Sequence, residues 1–262
     1  MNFFTRFKAI FKKDLFIAMS YRGAFVMEFI TIIFSLFLVF LIANFIESQT
    51  NVAPKEINEG YFYFVFWGLV SQDLMIKIVG ASSRDLLNYK TSGILEELIQ
   101  LPSAQITIIL GSNLYPIFMS LVRIVLSLLV ASFLLGDTIL NFSYVLYFLM
   151  NLVLLLISFI CIGLIAASYS LIFFRAGPIP LFFITFSIIF GSAYYPAEVL
   201  PYSLDNLSFL TPLSPALENF RMLSLDNFNV TAFFLNLLKI LIFNLIFMAI
   251  ALLSFKAAFK HA

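Results

Sequence analysis

Six stretches of nearly unbroken apolar residues alternate with mostly short polar segments along the chain. A bilayer core of roughly 30 Å needs about 20 apolar residues per spanning helix. On that measure the pattern predicts spans at Ala24 to Phe45, Tyr61 to Gly80, Ile106 to Leu135, Ser143 to Phe174, Pro180 to Tyr195 and Ala232 to Phe255. The runs are continuous, whereas the strands of a membrane barrel would alternate over segments of about ten residues. The expected fold is an all-α integral membrane protein, one domain over residues 1–262 with six transmembrane helices.

The segments between the spans carry patterns of their own. In residues 1–22, Phe3, Phe4, Phe7, Ile10, Phe11 and Leu15 share one face at helical spacing, with Arg6, Lys12 and Lys13 opposite and Asp14 intruding. This predicts an interfacial helix rather than a cleavable signal peptide, because bases interrupt the apolar positions throughout. Such a helix serves as a membrane anchor or as a docking element for a cytoplasmic partner. The loop 81–104 is predicted to contain a short helix: Ile94, Leu95, Leu98 and Leu101 fall at helical spacing, Glu96 and Glu97 sit in the first turn, and Pro102 ends it. Half apolar and half acidic, it would fit a groove on another protein or rest on the membrane surface.

Composition sharpens the class. Hydrophobic residues make up 62% of the chain, charged residues only 11%, and the mean hydropathy is +1.05, outside the range of ordinary water-soluble domains. The net charge is +1, so its sidedness matters more than its sum, and nothing points to nucleic acid. Arg6, Lys8, Lys12, Lys13, Arg22, Arg84, Lys90, Arg175, Lys256 and Lys260 fall on one side of a six-span chain. The other side holds Lys55 and Arg221 among acids such as Glu47, Glu56, Asp137 and Glu198. By the positive-inside rule both termini are expected in the cytoplasm of a multi-pass plasma-membrane protein, a bacterial inner membrane being the natural setting.

Familiar catalytic constellations are missing. The chain has no phosphate-cradling P-loop, HExxH helix or CxxC pair, and with a single cysteine, Cys161, and a single histidine, His261, a zinc site or His-dependent relay built by this chain alone is not expected. Candidate chemistry therefore lies in charges inside the spans: Glu28, Asp73, Lys77, Arg123 and Lys239. Asp73 and Lys77 are one helical turn apart, so they are expected either to neutralise each other or to contact a substrate or coupling ion. Glu28 is placed to meet Arg22 or water, and Lys239 to snorkel outward. Arg123, deep in its span, needs Asp73 or a backbone carbonyl as partner, in an interhelical contact or on a transport pathway.

The loop after the second span resembles the coupling region of type-2 ABC exporter permeases, with the pattern Gly-x-Leu-Glu-x-Leu and a following Pro carried by Gly93, Leu95, Glu96, Leu98 and Pro102. On the opposite side, Gly191, Pro196, Glu198 and Pro201 sit in a run of small residues, aromatics and prolines similar to that family's outer segment. The run from Thr211 and Pro212 to a closing Arg221 is similar to its Asn-Pro-Leu motif, with Thr211 in place of Asn and Pro215 added. The resemblance spans essentially the whole chain. It implies the membrane subunit of an exporter, not itself an enzyme, with no cofactor of its own and ATP and magnesium bound by a separate P-loop ATPase. That ATPase would dock on the loop at Glu96, with Leu95 and Leu98 filling its groove, and a second permease chain, identical or not, would complete the path. Residues 192–230 would form re-entrant helices gating the exit, since irregular backbone at membrane depth must lie against protein or water. The cargo expected is drug-like or lipid, with polysaccharide export and a proton-driven secondary transporter using Asp73, Lys77 and Arg123 as the alternatives.

Overall fold

A computed structural model describes residues 3–48, 60–93, 104–136, 139–175, 177–196, 204–224 and 228–261. Among them the chain is helical and contains no strand. Its helices are α1 (Phe3–Ser20), α2 (Arg22–Ser48), α3 (Tyr61–Thr91), α4 (Ala104–Leu135), α5 (Val145–Phe173), α6 (Pro178–Phe190), α7 (Leu213–Ser224) and α8 (Val230–His261), with 3-10 turns at Phe142–Tyr144 and Leu204–Leu210. Among the described residues five segments are long and apolar enough to cross a membrane: Arg22–Ile46, Tyr61–Thr91, Gly111–Leu135, Phe142–Phe173 and Val230–Ala258. That is the character of a multi-pass helical membrane protein.

Two boundaries differ from the expectation. The stretch read as the fifth span forms the 13-residue α6, which at ~1.5 Å per residue covers roughly 20 Å and falls short of a bilayer core. Gly191 and the left-handed Ser192 end it, so residues up to Tyr195 form a turn and not a last helical turn. The helix assigned to Tyr61–Gly80 instead continues to Thr91, because Leu86, Leu87 and the polar Arg84 and Lys90 are good helix formers and no Gly or Pro intervenes before Gly93. The helical excursion expected after Ser92 lies at residues 94–103, outside the described residues.

Local chemistry accounts for the other ends. Asn229 caps α8 by accepting from the backbone N–H groups of Thr231 and Ala232 at 3.0 and 3.3 Å. Pro178 stands in the first turn of α6, where its missing N–H costs no hydrogen bond. Gly93, at φ 74°, turns the chain out of α3 in a conformation that other residues adopt only under strain.

The bundle has two distinguishable ends. At one, α1 lies on α4 through Phe11 against Phe118, ring centroids 5.3 Å apart, and Lys13 donates to the Tyr89 hydroxyl of α3. A small cluster of Leu86, Leu171 and Phe255 closes α3, α5 and α8 there. At the other, the start of α3 meets α7: Trp67 stacks on Phe220 at 4.8 Å and donates to Ser224 at 2.6 Å. The helices α3 and α5 are the most enclosed, while α2 and α8 leave large apolar side chains such as Phe34, Phe45, Leu245 and Leu253 exposed.

Lipid tails are as apolar as leucine, so burial of leucine alone does not hold membrane helices together; small residues and hydrogen bonds do. Accordingly, α3 meets α4 through Ser82 and Asn113 at 2.8 Å, and α5 through Ser83 and Ser170 at 2.5 Å. Ser158 of α5 donates to Asn244 of α8 at 2.6 Å.

Candidate functional site

Four of the five intramembrane charges, all but Lys239, converge from three helices. Arg123 of α4 is 4% exposed; its Nη2 donates to Asp73 of α3 at 2.7 Å, and its Nη1 lies 3.6 Å from Glu28 of α2. The other Glu28 oxygen accepts Lys77 at 3.0 Å. The expected Asp73 to Lys77 pairing along one helix therefore gives way to three ion pairs across helices. A guanidinium offers a planar fork that can serve two carboxylates at once, while the lysine stem reaches the remaining oxygen of Glu28. Glu28 meets these two cations and not Arg22, as its helix turns it toward α3. Two acids and two bases make the group neutral overall, which removes most of the membrane penalty.

One face of this group is unfinished. Arg123 Nε and the Ser120 hydroxyl, one turn away on α4, are buried without a hydrogen-bond partner. The two residues stand in the wall of a cavity of ≈ 250 Å³ beneath α1, which also includes Tyr115 and Pro116. Pro116 lacks the N–H that would bond the Ser112 carbonyl, so the helix there is held by fewer internal bonds. Asp14, which breaks the amphipathic pattern of α1, faces this cavity and pairs with Lys13 at 3.0 Å. Burial alone would lower the Lys13 pKa, but its bonds to Tyr89 and Asp14 outweigh this and raise it.

The residues expected at the outer gate fall at the α7 end. Arg221 donates to the carbonyl oxygens of Phe64 at 3.2 Å and Ser192 at 2.6 Å, and lies 3.3 Å from the centroid of the Phe64 ring. Burial lowers its pKa, and the Glu218 carboxylate opposes that shift. Gly191 and Pro196 border the same turn and Pro212 precedes α7, so these three and Arg221 share one end of the bundle. Glu198 and Pro201 lie outside the described residues, as do Leu95, Glu96, Leu98 and Pro102 of the coupling pattern; Gly93 alone of that pattern is described.

A chain of amides was not anticipated. Asn151 of α5 donates to the Ala216 carbonyl at 2.9 Å, Asn219 of α7 donates to Asn151 at 3.1 Å, and Asn236 of α8 donates to Asn219 at 3.2 Å. Lys239 extends the chain by donating to Asn236 at 3.1 Å, with its ammonium 5.7 Å from the Phe209 ring. Tyr194 likewise bonds Gln72. The available signal was uncharged amides within apolar runs, which need partners as charges do. Among the described residues no three His, Cys, Asp or Glu side chains are grouped to hold a metal.

No family model matches the chain, and no curated protein matches it.

Proposed function

We propose that this chain is the membrane-spanning permease subunit of an ATP-driven exporter of the ABC type. One observation carries the reading. Gly93, which opens the stretch resembling that family's coupling region, lies at the C-terminal end of α3, while Gly191, Pro212 and Arg221 of the stretch resembling its outer segment pack around the N-terminal end. A chain that transmits work from a cytoplasmic ATPase to an exit gate needs its docking loop and its gate separated in this way. The connecting helix, α3, is the polar-tolerant hub of the bundle and holds Asp73 and Lys77 midway.

On this reading α6 and the turn after it complete a sixth crossing. Its support is that α6 begins beside the end of α5 and finishes against Leu213 and the start of α3, thus running from one end of the bundle toward the other. An even number of crossings puts both termini in the cytoplasm of a bacterial inner membrane, as the positive residues favour. The α7 end, with α7 and the 3-10 turn Leu204–Leu210, becomes a re-entrant outer gate. A P-loop ATPase holds ATP and magnesium and docks at Glu96, and a second permease chain completes the path. The cargo is a drug-like molecule or a lipid; a tunnel lined by aromatic rings between the two permease chains would instead favour polysaccharide.

A mild-detergent pull-down of the tagged chain from its host, comparing wild type with Glu96→Arg, tests this. Recovery of a P-loop ATPase with wild type and its loss with the variant is the expected result. Failure to recover any ATPase while the permease dimer stays intact would overturn the reading. It would favour a proton-driven transporter built on Asp73, whose ion pair with Arg123 is the observation that supports that second reading.

A further inference from the structure

A charged cavity beneath α1 and an apolar, outward-facing hollow between α2 and α4 lie along the same two helices. Three acids, Asp14, Glu28 and Asp85, and three bases, Lys77, Arg84 and Arg123, line the cavity, so its charges cancel. Arg84 and Asp85 form no ion pair among the described residues, leaving one base and one acid unclaimed. The Ser120 hydroxyl, 1% exposed, and Arg123 Nε add two buried donors without acceptors. An anionic lipid would suit a basic pocket. A balanced pocket with spare donors and a spare carboxylate suits a zwitterion, with the phosphate on Ser120, Arg123 and Arg84 and the amine on Asp85. At ≈ 250 Å³ the cavity is smaller than the roughly 300–1,000 Å³ typical of drug-sized ligands.

The apolar half of the site lies farther along the same two helices. A second hollow of ≈ 510 Å³ is bounded by Ile33, Phe34 and Phe37 of α2 and by Leu129, Phe133 and Leu134 of α4. Phe34 is six residues beyond Glu28, and Leu129 six beyond Arg123, about 9 Å on each helix. A head group in the cavity would lay its acyl chains in this hollow.

We infer that the seam between α2 and α4 binds a membrane phospholipid with an amine-bearing zwitterionic head group, its head in the charged cavity and its acyl chains against Phe34 and Phe133. This goes beyond the exporter reading and does not rest on it, because the site needs no ATPase and would survive a pull-down that recovers none.

The test uses the full-length chain, stripped of lipid in detergent and titrated with phosphatidylethanolamine or phosphatidylglycerol under native mass spectrometry. A phosphatidylethanolamine carrying a diazirine on its acyl chain maps contacts by photocrosslinking. Wild type is expected to retain phosphatidylethanolamine about tenfold more tightly than phosphatidylglycerol, and Arg84→Gln with Asp85→Asn to erase that preference. Cross-links should fall on residues 33–37 and 129–134. Ser120→Ala, which removes an unpartnered hydroxyl, should weaken retention about fivefold without lowering the thermal midpoint of the lipid-free protein; this variant decides the matter if the double substitution does not fold. Equal retention of the two lipids by wild type, cross-links spread over all exposed helices, or unchanged retention by Ser120→Ala would each overturn the inference.

Discussion

Arg123 is the residue on which the middle of the bundle depends, because it is enclosed and serves carboxylates from two other helices. Removing one partner of a buried pair leaves the other charge uncompensated, at a cost of several kcal/mol. Arg123→Leu is therefore expected to destabilise the protein by roughly 3 kcal/mol, since Asp73 and Glu28 retain partial access to water. Adding Asp73→Asn should restore part of the loss. Thermal unfolding in detergent measures both, and an unchanged midpoint for Arg123→Leu would show the cluster to be energetically idle. That Arg123 needed a partner was legible in the sequence, because a lone base deep in an apolar span has few ways to exist. Which partner answered was not. Asp73 and Lys77 lie one turn apart, a spacing that permits a bond along the helix, but the positions of α2 and α4 offered each of them a closer opposite charge.

At the scale of elements, contact distance between helices decides more than hydrophobicity does. The start of α3 approaches the turn after α6 so closely that a Cβ at Gly68 would collide with the Ala193 carbonyl oxygen. Backbone cannot rotate out of the way as a side chain can, so Gly68→Ala must push the turn aside. Overpacking of this kind typically costs about 1–3 kcal/mol. The displaced turn would also carry away Ser192, whose carbonyl accepts Arg221 at 2.6 Å. The expected result is a lower thermal midpoint together with faster proteolysis in residues 191–224, and native-like resistance there would refute the close approach. The apolar runs located α2, α4, α5 and the start of α8 to within a few residues, because the length of such a run is set by the bilayer it must cross. They misplaced the ends of α3 and α6. Polar residues that continue α3 look like a loop in a hydropathy pattern, and residues 191–195 look apolar although Gly191 and Ser192 have already ended the helix.

For the whole molecule, the open quantity is the number of crossings, and Cys161 makes it measurable. It is buried and is the sole cysteine, so Cys161→Ala yields a background for single-cysteine labelling. In intact cells a membrane-impermeant maleimide should label Ser143→Cys and Phe209→Cys, whereas Arg175→Cys and Lys256→Cys should react only after permeabilisation. Labelling of Lys256→Cys from outside would mean an odd number of crossings and would remove the proposed sixth. The amino-acid sequence by itself determined that this is a helical membrane protein, roughly where its long helices lie, and that its few internal charges need partners. Those follow from composition and period, which local free energies of transfer and backbone satisfaction dictate. Only the tertiary structure decided how the helices meet. It crossed the ion pairs between α2, α3 and α4, linked Asn151, Asn219 and Asn236 into one chain, and placed unpartnered Ser120 and Arg123 Nε beside a balanced set of charges. The physical reason is that such pairings depend on distances across neighbouring helices, and spacing along a single helix carries no information about what stands opposite.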